Sequence, residues 1–113
     1  WICPMTELLL VITILPDMEA AKALARRLID LNLAACVQLQ PGVQSIYRWD
    51  GRVCEEQEVA LMVKTTAAQW PAISAFIKQN HPYDVPEIIA QPITHSDPDY
   101  ARWVVAETTV APN

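Results

Sequence analysis

SIYRWDGRVCEEQEVALMVKT, residues 45–65, has the pattern of a long β-hairpin. Asp50-Gly51 stands between two runs of β-forming residues. A two-residue type I′ turn requires positive φ at both central positions, and Asp followed by Gly meets that requirement. The segment therefore predicts a hairpin in which Trp49 faces Arg52 across the turn.

Farther from the turn, this register pairs unlike residues, whereas a slip of one residue pairs Val37 with Val63. The slip requires one extra residue in the first strand before Ser45. Pro41-Gly42 lies at that place, and a Pro that cannot donate beside a Gly that tolerates left-handed backbone is typical of a β-bulge. We expect the bulge to divide the hairpin into an aliphatic base and an overhang, defined here as residues 45–56.

The predicted overhang carries Tyr47 and Trp49 among charged residues. An isolated two-stranded ribbon is only marginally stable, and large aromatic side chains on it stay wet in a monomer. The pattern therefore indicates a partner chain. In the alternative interpretation, the stem of Arg48 or Arg52 folds over the rings of an exposed hairpin.

The remaining elements follow from periodicity and capping residues. The apolar run at residues 8–12 predicts a central strand covered on both faces. Asp17 is a good N-cap for a helix that ends near Asn32. The other predicted elements are a helix at 68–80, a short edge strand at 87–91 and a last helix from Ser96-Asp97-Pro98 to about 108.

This order of elements predicts an α+β fold, a ferredoxin-like βαββαβ sandwich with a long extended hairpin and a C-terminal helix. Right-handed crossovers place both main helices on one face of the antiparallel sheet. The other face is left bare although the first strand is apolar on both sides. This second observation also indicates oligomerisation.

Composition excludes several classes of protein. The 113 residues form one domain, placed here at 5–110, with residues 1–4 as an N-terminal extension of unknown origin. A net charge of −5 with 8 scattered Lys and Arg residues argues against nucleic-acid binding. The apolar run at 8–15 is too short for a membrane helix. Three cysteines without a CxxC pair indicate a reducing compartment.

Several blocks of sequence resemble the CutA1 divalent-cation tolerance protein family. They are LAACVQ at 33–38, PGVQSIYRWDG at 41–51, HPYDVPEII at 81–89 and PITHSDPDYARW at 92–103. The resemblance implies a tight homotrimer, similar to the trimeric PII signalling proteins, in which each hairpin extends a neighbour's sheet. It also implies a cytoplasmic protein that responds to metal ions and is associated with tolerance of copper and other divalent cations.

The resemblance further implies a copper site made of a Cys near the end of the first strand and a His-His pair after the second helix. This chain has Thr13 at the first position and Asn80-His81 at the second, so His81 alone carries over. His95 is a second metal candidate. The alternative roles are that His81 caps the helix end and that His95 orders the turn before the last helix.

A cleft between subunits is a second candidate site. It would gather Trp49, Glu58, Lys64, Tyr83 and Asp84. The alternative function is a PII-like trimer that binds a small anionic metabolite near Lys64, although packing in the trimer explains Trp49 and Tyr83 equally well. A purely structural assembly module is a third possibility.

No GxSxG, HExxH or phosphate-binding loop is present, so we expect a binding protein and not an enzyme.

Overall fold

The chain is described by a computed structural model that covers residues 7–109. The N-terminal extension at 1–4, the ends of the domain placed at 5–110 and residues 111–113 lie outside this range. In chain order the elements are β1 (Leu8–Leu15), α1 (Met18–Asp30), β2 (Cys36–Trp49), β3 (Arg52–Thr66), a 3₁₀ turn (Ala67–Gln69), α2 (Trp70–Asn80), β4 (Ile88–Ile93) and α3 (Pro98–Glu107).

The four strands form one antiparallel sheet in the order β2-β3-β1-β4. This order confirms the predicted α+β ferredoxin-like sandwich, with β1 in the interior of the sheet and β4 at an edge. Val11, Leu61 and Val63 are fully buried beneath α1 and α2, together with Leu28 and Ile77 of those helices. The hydrophobic core therefore lies between the sheet and these two helices.

The hairpin has the predicted turn and register. Asp50 and Gly51 have φ values of 52° and 74°, as a type I′ turn requires. Trp49 pairs with Arg52, and the register slips by one residue at the predicted bulge, between Gln40 and Val43. Gly42 adopts a φ of 76° there, a conformation that costs little without a Cβ.

Helix boundaries follow the expected caps with small differences. The Asp17 side chain accepts a hydrogen bond from the backbone N–H of Ala20 at 2.8 Å, and Asn32 ends α1 in the left-handed region at φ 58°. The helix predicted at 68–80 begins with the 3₁₀ turn. The strand predicted at 87–91 runs instead to Ile93, because Pro92 is tolerated at a sheet edge, where its missing N–H costs no ladder bond.

The sheet face opposite α1 and α2, called the open face below, is only partly covered. The helix α3 packs against β3 on this side and buries Val104. Farther along β1, Ile12 and Ile14 on the open face are only half-buried, and Ile89 beside them on β4 is 51% exposed.

The overhang projects from the rest of the subunit and is poorly covered. Ile46 is 69% exposed and Trp49 is 52% exposed. The Cα radius of gyration is 15.3 Å, whereas a compact chain of this length is expected at about 13 Å. The described chain therefore has two uncovered apolar regions, the open face and the overhang.

Candidate functional site

A cleft of about 690 Å³ lies between the overhang, the end of β1 and the loop after α2. The loop turns around the end of β1 because the side chain of His81 binds the backbone of Ile14 there. The cleft is lined by Ile14, Ser45, Ile46, Tyr47, Trp49, Glu56, Glu58, Pro82, Tyr83, Asp84, Val85 and Glu87. Four of the five residues predicted for a ligand cleft lie in it: Trp49, Glu58, Tyr83 and Asp84.

Glu58 and Tyr83 join the loop to the sheet. The Tyr83 hydroxyl donates a hydrogen bond to Glu58 Oε2 at 2.6 Å. Glu58 is only 6% exposed, and within residues 7–109 no donor reaches its other oxygen, Oε1. Burial raises the pKa of Tyr83 above its usual value, and the hydrogen bond to Glu58 raises it further. Tyr83 therefore stays a hydrogen-bond donor throughout the neutral pH range.

Tyr47 and Glu56 form a second pair of the same kind on the overhang. The Tyr47 hydroxyl donates to Glu56 Oε1 at 2.7 Å. This hydrogen bond, together with burial and the Glu56 charge, raises the pKa of Tyr47 to about 12. The two pairs place two phenol rings and two carboxylates along one wall of the cleft.

The cleft is strongly acidic. Glu56, Glu58, Asp84 and Glu87 contribute four carboxylates, and no Lys, Arg or His side chain appears among its lining residues. Over residues 7–109 the one ion pair is between Arg102 and Asp99, both in α3, so no basic residue of the described chain forms an ion pair with the cleft carboxylates. Such a lining attracts cations and repels anions.

His81 is held by both of its ring nitrogens. Nδ1 accepts a hydrogen bond from the backbone N–H of Tyr83 at 3.1 Å, so Nε2 carries the ring proton. Nε2–H donates a hydrogen bond to the carbonyl oxygen of Ile14 at 2.8 Å. His81 is the C-cap residue of α2, as the capping interpretation expects, but its ring contacts β1 and not the carbonyls of the helix, so that part of the interpretation is wrong. Burial lowers the pKa of His81, against the opposing effects of the Ile14 carbonyl and the Glu58 charge.

His95 lies far from His81 in the same chain. It follows β4, beyond the point where Ile93 pairs with Leu8, and its Nδ1 is 3.0 Å from Thr94 Oγ1. Since His81 contacts Ile14 at the other end of β1, the two imidazoles are separated by six strand residues, about 20 Å. Between residues 7 and 109 no three His, Cys, Asp or Glu side chains converge as metal ligands.

Lys64 is not brought into the cleft of its own chain. It lies on the open face opposite Cys36 and contacts the side-chain oxygen of Gln38. Six residues of β3 separate it from Glu58 on the same face, again about 20 Å. Its membership of a cleft between subunits stays a prediction.

The two Tyr–Glu pairs are not among the contacts predicted from the sequence. Tyr47 and Glu56 are diagonal neighbours across the hairpin, so the predicted register contained the signal for that pair. Tyr83 and Glu58 are 25 residues apart, and neither lies in a motif that predicts their contact. Glu87 was assigned to a strand, whereas it lies in the loop that borders the cleft.

Comparisons with known proteins agree with this fold. Residues 9–107 match the family described as "CutA1 divalent ion tolerance protein". The divalent-cation tolerance protein CutA of Thermus thermophilus is 44% identical over 98 residues, which cover 87% of this chain and 95% of that protein.

Solved structures give the same result. CutA1 from Oryza sativa superposes with a TM-score of 0.90 at 37% identity, covering 95% of this chain and 98% of that one. A protein from Archaeoglobus fulgidus, described as a periplasmic divalent cation tolerance protein, has a TM-score of 0.88 at 28% identity, covering 90% and 99% of the two chains.

Proposed function

The chain belongs to the CutA1 divalent ion tolerance protein family, and from that premise we propose that it acts as a homotrimer that binds divalent cations at modest affinity. Its role is in the response to metal ions, with Cu(II) foremost. The observation that supports cation binding most directly is the acidic cleft, where four carboxylates face no basic side chain. The role is binding, without a catalytic step.

The trimer accounts for the two uncovered regions. A neighbour that extends the sheet along the overhang covers Trp49 and gives backbone partners to the free edges of β2 and β4. It also covers Ile89 on the open face. This is the PII-like arrangement implied by the resemblance.

His81 and His95 are the proposed metal ligands. A metal on either ring nitrogen of His81 displaces a hydrogen bond, to Tyr83 or to Ile14, and that cost supports a modest affinity. Tight binding of copper needs two to four convergent nitrogen or sulfur ligands, so the imidazoles must meet ligands from neighbouring subunits.

Calorimetric titration with Cu(II) tests this assignment. We expect saturable binding by the full chain and weaker binding by His81→Ala and His95→Ala. Asn80→Ala, next to His81, is the matched control and should bind as the wild type does. Unchanged Cu(II) binding in both histidine variants, with circular dichroism showing an intact fold, would rule out these residues as ligands.

An anionic metabolite is not favoured by the site. The cleft lining is acidic, and Lys64 lies about 20 Å along β3 from Glu58.

Between residues 7 and 109, none of the helices has the length and apolarity to cross a membrane. The cytoplasmic location stays a prediction, to be tested by cell fractionation, and one relative is described as periplasmic.

A further inference from the structure

We propose that residues 82–87, called the strap below, open locally and so control access to the imidazole of His81. In the closed form that the structure shows, both ring nitrogens of His81 are occupied. The hydrogen bond between Tyr83 and Glu58 holds the strap closed. The opening itself needs no metal, and only its effect on Cu(II) binding rests on the proposed function.

The strap has few attachments to the rest of the subunit. It lies between α2 and β4, and no backbone–backbone hydrogen bond joins residues 82–87 to another part of the described chain. Pro82 and Pro86 have no N–H to donate. Val85 is 66% exposed, so it adds little apolar contact. Segments with few buried contacts and few backbone hydrogen bonds open at low cost, without global unfolding.

One side chain anchors the strap to the sheet. The Tyr83 hydroxyl donates a hydrogen bond to Glu58 Oε2 at 2.6 Å, and Glu58 is a buried residue of β3. Hydrogen bonds to a carboxylate are about twice as strong as those between neutral groups. Within residues 7–109, no other side-chain hydrogen bond and no ion pair attaches the strap to a strand or helix. The closed form therefore depends on this hydrogen bond.

His81 lies at the fixed end of the strap. Its Nε2–H donates to the carbonyl oxygen of Ile14, and its Nδ1 accepts from the backbone N–H of Tyr83. The rings of Tyr83 and His81 are also in contact, with centroids 5.0 Å apart. When Tyr83 moves away, Nδ1 loses its donor, whereas the hydrogen bond from Nε2–H to β1 remains. Opening of the strap therefore frees one nitrogen of His81 and leaves the ring in place.

Labelling with diethyl pyrocarbonate tests the strap on the full chain without metal. The reagent acylates an imidazole nitrogen whose lone pair is free, and peptide mass spectrometry measures both histidines in one sample. We expect slow labelling of His81 in the wild type and about tenfold faster labelling in Tyr83→Phe, which removes one charge-assisted hydrogen bond. The exposed His95 is the internal reference.

Tyr47→Phe is the matched control for this labelling. It removes the equivalent hydrogen bond to Glu56 on the overhang, which does not touch the strap. The rate at His81 should therefore stay at the wild-type value. Unchanged labelling of His81 in Tyr83→Phe, as when a neighbouring subunit holds the strap closed, would overturn the proposal. Equal acceleration in both tyrosine variants would do the same.

Amide hydrogen exchange of the wild type is a second test that needs no variant. The N–H of Tyr83 should exchange at least about a hundredfold faster than that of Val11, because local opening needs far less free energy than unfolding of the core. Val11 is buried in β1 and pairs with both β3 and β4. Equal exchange rates at the two amides would show that the strap opens only with the whole subunit, and would overturn the proposal.

Cu(II) binding should depend on the same opening. A metal at Nε2 of His81 needs the ring proton on Nδ1, where it would face the N–H of Tyr83, so both hydrogen bonds of the ring are lost. A metal at Nδ1 displaces the Tyr83 N–H alone. The structure therefore favours Nδ1 as the ligand atom and the open strap as the form that binds.

Calorimetric titration of Tyr83→Phe with Cu(II) measures this dependence. Apparent affinity scales with the fraction of the binding-competent form, so the variant should bind up to about tenfold more tightly than the wild type. The gain should vanish when His81→Ala is added. Equal or weaker binding by Tyr83→Phe would contradict a binding site behind the strap. Absence of Cu(II) binding by the wild type would instead contradict the proposed function, and the labelling and exchange rates would still decide whether the strap opens.

Discussion

Thr13 and Thr65 are two fully buried threonines on the helix-facing side of the sheet with opposite hydrogen-bonding states. Thr65 Oγ1 donates to the carbonyl of Leu33 at 2.6 Å, whereas Thr13 Oγ1 has no hydrogen-bond partner among residues 7–109. Burying an unpaired hydroxyl costs free energy, while a satisfied one contributes to stability.

Replacing each threonine by valine should therefore have opposite effects. Thr13→Val should raise the free energy of unfolding by about 1 kcal/mol, because it removes an unsatisfied polar group. Thr65→Val should lower it by a similar amount, because the Leu33 carbonyl loses its donor. Urea denaturation of both variants at one protein concentration measures the difference. Destabilisation by Thr13→Val equal to that by Thr65→Val would contradict the unpaired state of Thr13.

Sequence reasoning at this scale found residue types but not their contacts. His81 was identified as a candidate from its motif, yet its partners, Ile14 and the Tyr83 backbone, depend on how the loop turns around β1. The contact between Tyr83 and Glu58 likewise requires the tertiary fold. Asp17 and Asn32 were correctly assigned because helix caps depend on neighbouring backbone groups alone.

The overhang is the element on which the assembly argument depends. Its turn and bulge were predictable, because Asp50-Gly51 and Pro41-Gly42 encode backbone conformations locally. The end of β4 was not predictable from local sequence, because the register of this edge strand is set by its pairing with β1. The surface of a neighbour that covers Trp49 in the proposed trimer cannot be predicted from local sequence pattern.

Trp49→Ala should weaken subunit association more than it weakens folding of the subunit. Large aromatic side chains in a buried contact contribute about 2 kcal/mol or more to the free energy of association. Removing one should therefore lower the association constant roughly thirtyfold. Ile29→Ala is a matched control, since Ile29 is similarly exposed but lies on the outer side of α1. Sedimentation velocity over a dilution series measures both variants, and an association as strong as the wild type's in Trp49→Ala would count against the overhang as the interface.

The whole molecule leaves apolar surface in two places that a sandwich of this size cannot cover. Among residues 7–109, α3 is the one helix on the open face, and the overhang extends the longest dimension to 53 Å against 30 and 22 Å. The sequence predicted both regions, from the two-sided apolar pattern of β1 and from the aromatic residues beyond the bulge. The number of subunits comes from the family resemblance and not from these patterns.

The molar mass in solution tests the proposed assembly most directly. Size-exclusion chromatography with light scattering at micromolar concentration should give roughly 38 kDa, three times the 12.7 kDa of one chain. A stable species of 12.7 kDa with native circular dichroism would contradict the proposal that neighbouring subunits cover the open face and the overhang.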